Sequence, residues 1–158
     1  TQEVYRFVSP RESRRIFAIK GKGSQGQYVP LINGVKKIKR EKVNLFSIGV
    51  DEGKAKVMSR LRIEKSGPGY CHFPKDRGYN LDYFKGLTAE KLVKRYKNGT
   101  MYLAWKKVRE RNEPIDLRVY NTAALEILNP NLDNMKPGTN QPKKKLKKRR
   151  RLLSKGVD

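Results

Sequence analysis

The segment Val43-Asn44-Leu45-Phe46-Ser47-Ile48-Gly49-Val50 constrains the fold more than any other. It is nearly apolar throughout and runs straight into Asp51, the pattern of a β-strand covered on both faces, so structure must pack above and below it. Directly afterwards Ala55, Val57, Met58 and Leu61 fall at helical spacing, which makes a strand passing into a helix. Ile16-Phe17-Ala18-Ile19 is a second compact strand, ended by Lys20-Gly21-Lys22-Gly23, with a basic loop from Gly21 to Gln27. The apolar stretch Val4, Tyr5, Phe7 and Val8, closed by Pro10, suits either a helix or a strand. Gly67-Pro68-Gly69 predicts a turn before a short strand, Tyr70-Cys71-His72-Phe73, which Pro74 stops. Thr88 reads as the N-cap of a helix closed by Asn98-Gly99, and Met101-Tyr102-Leu103-Ala104-Trp105 as another strand. Pro114 then opens a helix of about 15 residues with a wide apolar stripe through Ile115, Leu117, Val119, Tyr120, Ala123, Ala124 and Leu128. The sum is a mixed α/β layer fold.

Charge limits the function. Among 158 residues, 38 Lys+Arg stand against 15 Asp+Glu, a formal net charge of +23, which calls for a polyanionic partner, nucleic acid first. With 36% hydrophobic residues the chain is lean but able to build a core, so wholesale disorder is excluded. Composition changes after Leu128, where Asn129-Pro130-Asn131 opens a stretch rich in Pro, Asn, Gly and Lys. That stretch leads to the run Lys143, Lys144, Lys145, Leu146, Lys147, Lys148, Arg149, Arg150 and Arg151. Residues 129–158 read as a flexible, disordered basic tail, either a solvated arm or a direct DNA contact. Residues 1–128 keep a net +15 and are basic in their own right. A single cysteine, Cys71, and a single histidine, His72, exclude an internal disulfide and a Cys/His zinc site, and a reducing compartment fits. No apolar run approaches the roughly 18 residues of a membrane span, and the N-terminus has no signal-peptide pattern, so the expectation is a soluble, unexported protein.

In so basic a chain the acids are the informative residues. Asp51 follows the strongest strand, and in open α/β sheets working sites lie beyond the carboxyl ends of strands. Asp116 lies in the first turn of the last helix, just behind Glu113. Carboxylates from separate segments are what hard divalent cations need in order to activate water and stabilise a leaving oxygen in phosphodiester cleavage. The same positions also suit helix capping by Asp51 and complementation of a helix dipole by Asp116 or Glu113. Gly21-Lys22-Gly23 and Gly67-Pro68-Gly69 lack the spacing of a nucleotide-binding loop. His72 beside Cys71 does not make a catalytic dyad, because adjacent strand residues point to opposite faces.

Three strings, with Trp105 between the second and third, carry a resemblance. They are Gly67-Pro68-Gly69-Tyr70-Cys71-His72-Phe73-Pro74, Tyr83-Phe84-Lys85-Gly86-Leu87-Thr88-Ala89-Glu90, and Arg111-Asn112-Glu113-Pro114-Ile115-Asp116-Leu117-Arg118-Val119-Tyr120. In this order and spacing they resemble the C-terminal nuclease region of the large terminase subunit of lambda-like tailed bacteriophages. Upstream, Glu3-Val4-Tyr5-Arg6-Phe7, Ala18-Ile19-Lys20-Gly21 and Ile48-Gly49-Val50-Asp51-Glu52-Gly53-Lys54 resemble it too, so the likeness spans residues 1–128 and leaves out the tail. It implies an RNase H-like mixed sheet flanked by helices, and a metal-dependent endonuclease that cuts concatemeric double-stranded DNA during viral genome packaging. Such nucleases place one Asp at the end of the first strand, a second acid after a later strand and a third on a late helix. Asp51 matches the second position and Asp116 the third, while the first is expected upstream of Thr1, near Glu3, so impaired activity is expected of residues 1–158 on their own. The implied chemistry is two-metal phosphodiester hydrolysis with two Mg²⁺ or Mn²⁺ ions, Asp51 and Asp116 as catalytic ligands, Glu113 as a further ligand, and Lys20 and Lys54 on phosphates. The implied partners are double-stranded DNA, a small terminase subunit, a portal protein and an ATPase domain of the same large subunit, acting in the cytoplasm of the bacterial host. The domain alone is expected to be monomeric. The rival reading is a non-catalytic basic nucleic-acid-binding protein of ribosomal or packaging-accessory type.

Overall fold

The computed structural model describes residues 1–24 and 26–132, and within them the chain is a mixed α/β assembly. The run Lys143 to Arg151, and with it the expectation of a disordered tail, lies outside the described residues. Helix α1 (Gln2–Val8) passes through a 3-10 turn (Ser9–Arg14) into β1 (Ala18–Lys22), followed by β2 (Ile32–Ile38) and β3 (Val43–Gly49). Helix α2 (Val50–Leu61) starts with no intervening loop, and after a long irregular segment come α3 (Leu81–Leu87), β4 (Glu90–Lys97), β5 (Thr100–Lys107) and α4 (Glu113–Leu128).

Strand β3 is the centre of a three-stranded sheet of order β1-β3-β2, parallel to β1 and antiparallel to β2. Its side chains are shared between two cores, one on each side of the sheet. Ile48 and Phe46 face a cluster of Leu31, Val57, Leu87, Ile115, Val119 and Ala123, whereas Val43 and Leu45 face Val8, Ala18, Tyr5 and Ile16. This double coverage explains why the run is nearly apolar throughout. Gly49, the last residue of β3, passes beneath the segment Val29–Leu31: its N–H donates to the Leu31 carbonyl at 2.9 Å, and a Cβ there would press on the carbonyl oxygens of Val29 and Pro30. The turn from β3 into α2 is therefore tight, and it sets Asp51 at the carboxyl end of the central strand.

Two expected elements are different in kind. Residues 88–98 form no helix; β4 and β5 pair antiparallel from Glu90↔Lys107 to Lys97↔Thr100 around Asn98-Gly99. Both turn residues have positive φ, 49° and 75°, the conformation of a two-residue hairpin turn that Asn-Gly favours. Ala89, Leu92, Val93 and Tyr96 are spaced as on one face of a helix, and pairing with β5 through the Asn98-Gly99 turn overrides that pattern. Thr88 caps the C-terminal end of α3, where its Oγ1 donates to the Phe84 carbonyl at 2.9 Å. The expected strand Tyr70–Phe73 is irregular, and Phe73 instead joins an edge-to-face ring cluster with Tyr79, Tyr83 and Phe84. Burial there pushes the Tyr83 phenol above its usual pKa, against the opposing pull of the Arg118 guanidinium. Strand β2 and helix α3 have no counterpart among the expected elements, and β1 runs on to Lys22, into the expected loop.

Candidate active site

Parallel strands β1 and β3 end side by side, Lys22 opposite Gly49, and the site begins there. Asp51, in the first turn of α2, is held by the Ser24 backbone N–H, which donates to its Oδ2 at 2.6 Å. On the other side the Trp105 indole N–H donates to the Asp51 carbonyl at 3.2 Å, which ties the β4–β5 hairpin to the start of α2. Asp51 thus sits in a cleft between Gly23 and a wall of Arg95, Lys97, Tyr102 and Trp105.

One turn further along the same side of α2, Lys54 is 9% exposed. Its Nζ donates to both carboxylate oxygens of Glu90, at 2.9 and 2.8 Å, and lies 3.7 Å from Asp116 Oδ1. The Asn112 side-chain amide donates to Glu90 Oε1 at 2.7 Å and to Asp116 Oδ2 at 3.4 Å. Four elements or their flanks meet in this network, α2, the base of β4, the turn before α4 and the first turn of α4. What allows it is Gly53, whose missing side chain leaves room for Val119, since a Cβ would stand 2.5 Å from Val119 Cγ1. The close crossing of α2 and α4 carries Asp116, one turn before Val119, to Lys54.

Of the residues expected at a site, Asp116 and Lys54 are in contact, and Asp51 lies one helical turn from Lys54. Lys54, expected on phosphate, is buried among carboxylates. Glu113 pairs instead with Arg111 Nε at 3.4 Å. Lys20 is exposed on β1 beside Lys36 and Ser47. Glu90 and Asn112 are the residues that sequence reasoning missed as site members. The available signal was that Glu90 is the only acid in a run of basic residues from 90 to 107.

The carboxylates of Asp51, Glu90 and Asp116 are hard oxygen donors of the kind Mg²⁺ and Mn²⁺ take. In the present arrangement they do not fit a metal pair: both Glu90 oxygens are engaged by Lys54, Asp116 leans on the same ammonium, and among the described residues no three of His, Cys, Asp and Glu gather as a ligand set. The site as it stands is a lysine-centred carboxylate cluster next to an acid in a basic cleft.

The family model of the terminase large subunit gpA endonuclease domain matches residues 1–137. The chain belongs to this family. The large terminase subunit of Escherichia phage lambda is 32% identical over 118 residues, covering 72% of this chain and 18% of the phage protein. That of Enterobacteria phage P21 is 29% identical over 119 residues with the same coverage. This terminase endonuclease domain thus spans under a fifth, 18%, of the length of these relatives. No solved structure gives a significant match. Among the described residues, no helix of the domain is long and apolar enough to cross a membrane.

Proposed function

We propose that the chain is the DNA-cutting domain of a phage packaging terminase, a hydrolase of phosphodiester bonds in concatemeric double-stranded DNA. The observation that carries this reading is the position of Asp51, at the carboxyl edge of the parallel pair β1–β3, in a basic cleft one helical turn from the cluster holding Asp116. A central β3 flanked by parallel β1 and antiparallel β2, with α2 and α4 packed on one face, supports an RNase H-like architecture for residues 1–128. In this reading the basic residues of 129–158, Lys143, Lys144, Lys145, Lys147, Lys148, Arg149, Arg150 and Arg151, which lie outside the described residues, add nonspecific hold on DNA.

Asp51 and Asp116 are the proposed catalytic acids, Asn112 and Lys54 contact Asp116 while Glu90 holds both of them, and Lys20 is a proposed phosphate contact. Two Mg²⁺ or Mn²⁺ ions would supply an activated water and a stabilised leaving oxygen, and Asp51 and Asp116 would hold them only in an arrangement in which Lys54 has released Asp116. The domain's own residues do three things in this reading: the basic cleft holds the backbone, the Ser24 amide orients Asp51, and the Lys54–Glu90–Asn112 network holds Asp116 in the metal-free arrangement. Phosphate contacts position DNA without reading its sequence, so site choice falls to a small terminase subunit and a portal, with an ATPase domain in the same large subunit, in the infected host cell.

Incubating supercoiled plasmid with the chain, and with a longer version extending upstream of Thr1, in Mg²⁺, Mn²⁺ or chelator tests the proposal. Metal-dependent nicking by either supports it. Binding by both without nicking in any condition would replace it with a non-catalytic DNA-binding role.

A further inference from the structure

The β4–β5 hairpin stands out from the rest of the surface. Two strands of eight residues form a sheet of their own, and except for the base at Glu90 no residue of it is buried. It carries Lys91, Lys94, Arg95, Lys97, Lys106 and Lys107, and among the described residues none of the six is in an ion pair. Its one acid, Glu90, is turned inward and consumed by Lys54. Lys91 and Lys106 are directly opposite one another across the strands, a like-charge pairing that weakens a free ribbon unless an anion lies against it. Near the tip Tyr96 pairs with Met101, 73% and 48% exposed, on the face opposite to Arg95 and Lys97, so the distal end offers apolar surface on one face and cations on the other.

We propose that this hairpin is a DNA-docking ribbon that places duplex DNA across the Asp51 cleft, with Arg95 and Lys97 on backbone phosphates and the Tyr96–Met101 tip in a groove. This rests on the nuclease reading of Asp51. A two-stranded ribbon is of a size the major groove admits, and at about 3.4 Å per residue its eight-residue strands are roughly 27 Å long. Arg95 and Lys97 already line the cleft that contains Asp51, and the Trp105–Asp51 hydrogen bond fixes the ribbon's base there. DNA gripped by the ribbon is therefore carried to the acid, and the 15 acids of this cation-rich chain form no acidic run that could take the ribbon in its place.

The test is binding of a 20-base-pair duplex to the full 158-residue chain by fluorescence anisotropy over a salt series, comparing the Arg95→Ala/Lys97→Ala double variant with Lys75→Ala/Arg77→Ala, which removes two cations from the irregular segment between α2 and α3. The ribbon variant is expected to lower the slope of log K against log salt by about 1.8, some 0.9 for each phosphate no longer neutralised, and the loop variant to leave it unchanged. Equal reductions in both, or none in the ribbon variant, overturn the proposal. A third variant, Tyr96→Ser, leaves charge intact and is expected to weaken binding several-fold with no change of slope. Because binding is read without cleavage, an unchanged slope in the ribbon variant refutes the ribbon, whereas absence of plasmid nicking refutes only the nuclease reading.

Discussion

Lys54 and Glu90 lie together out of water, and each is tolerated there because the other is present. Removing one partner of a buried pair typically costs about 3–5 kcal/mol, since the survivor keeps its desolvation penalty. Lys54→Met is expected to lose stability in that range, because two carboxylates, Glu90 and Asp116, are then left facing each other with only Asn112 between them. Glu90→Gln should cost less, as Lys54 keeps Asp116, and the double variant should fall short of the sum of the singles by about 1–3 kcal/mol. Urea midpoints of the three variants check this. Gly53 makes a second prediction at this scale. An alanine in an exposed helix usually stabilises by up to about 1 kcal/mol over glycine. Here the added Cβ meets Val119 at 2.5 Å and Leu31 at 3.1 Å, so Gly53→Ala is expected to destabilise by about 1–3 kcal/mol, read from the same urea midpoints. Asp51 and Asp116 were legible in the sequence as acids at a strand end and a helix start. Glu90 and Asn112 were not, because their meeting depends on a hairpin base folding against α4, a long-range fact with no local trace.

At the scale of elements, β3, α2 and α4 were legible because each carries a continuous or periodic apolar pattern that nothing else explains. The segment 89–97 misleads for a physical reason. Ala89, Glu90, Lys91 and Leu92 are individually good helix formers, and that preference is outweighed by pairing with β5 through a left-handed Asn98-Gly99 turn. The Asn-Gly dipeptide was the available signal for a hairpin. Strand β2 was hidden because it is an edge strand whose middle residues, Asn33 to Lys37, are all exposed, and α3 because it spans only seven residues after the Asn80 cap, whose side chain accepts from Tyr83 N–H at 3.0 Å. The ring cluster that ties α3 to the irregular segment makes its own prediction. Tyr83 has a pKa in the folded chain above the usual 10.0 of a tyrosine, so the folded state binds its proton more tightly than the unfolded state. Its contribution is complete below about pH 10 and is lost as pH rises through the folded value. Thermal melts between pH 9 and pH 11 should show a shallower alkaline decline for Tyr83→Phe than for the native chain.

Over the whole molecule, a net charge of +23 favours salt-sensitive association with any polyanion whether or not an active site is present, so DNA binding by itself would say little about catalysis. The fold supplies what charge cannot. It brings Asp51 to the carboxyl edge of β3, packs α4 against α2 so that Asp116 reaches Lys54, and sets a basic ribbon beside the cleft. In the proposed function these acids cut DNA that the cations merely hold. The direct test is metal-supported nicking of supercoiled plasmid by the longer, upstream-extended version carrying Asp51→Asn or Asp116→Asn, with duplex affinity measured on the same preparations. Each substitution is expected to abolish nicking while affinity and its salt slope stay close to those of the native protein. Undiminished nicking in both variants would contradict the assignment of these two acids.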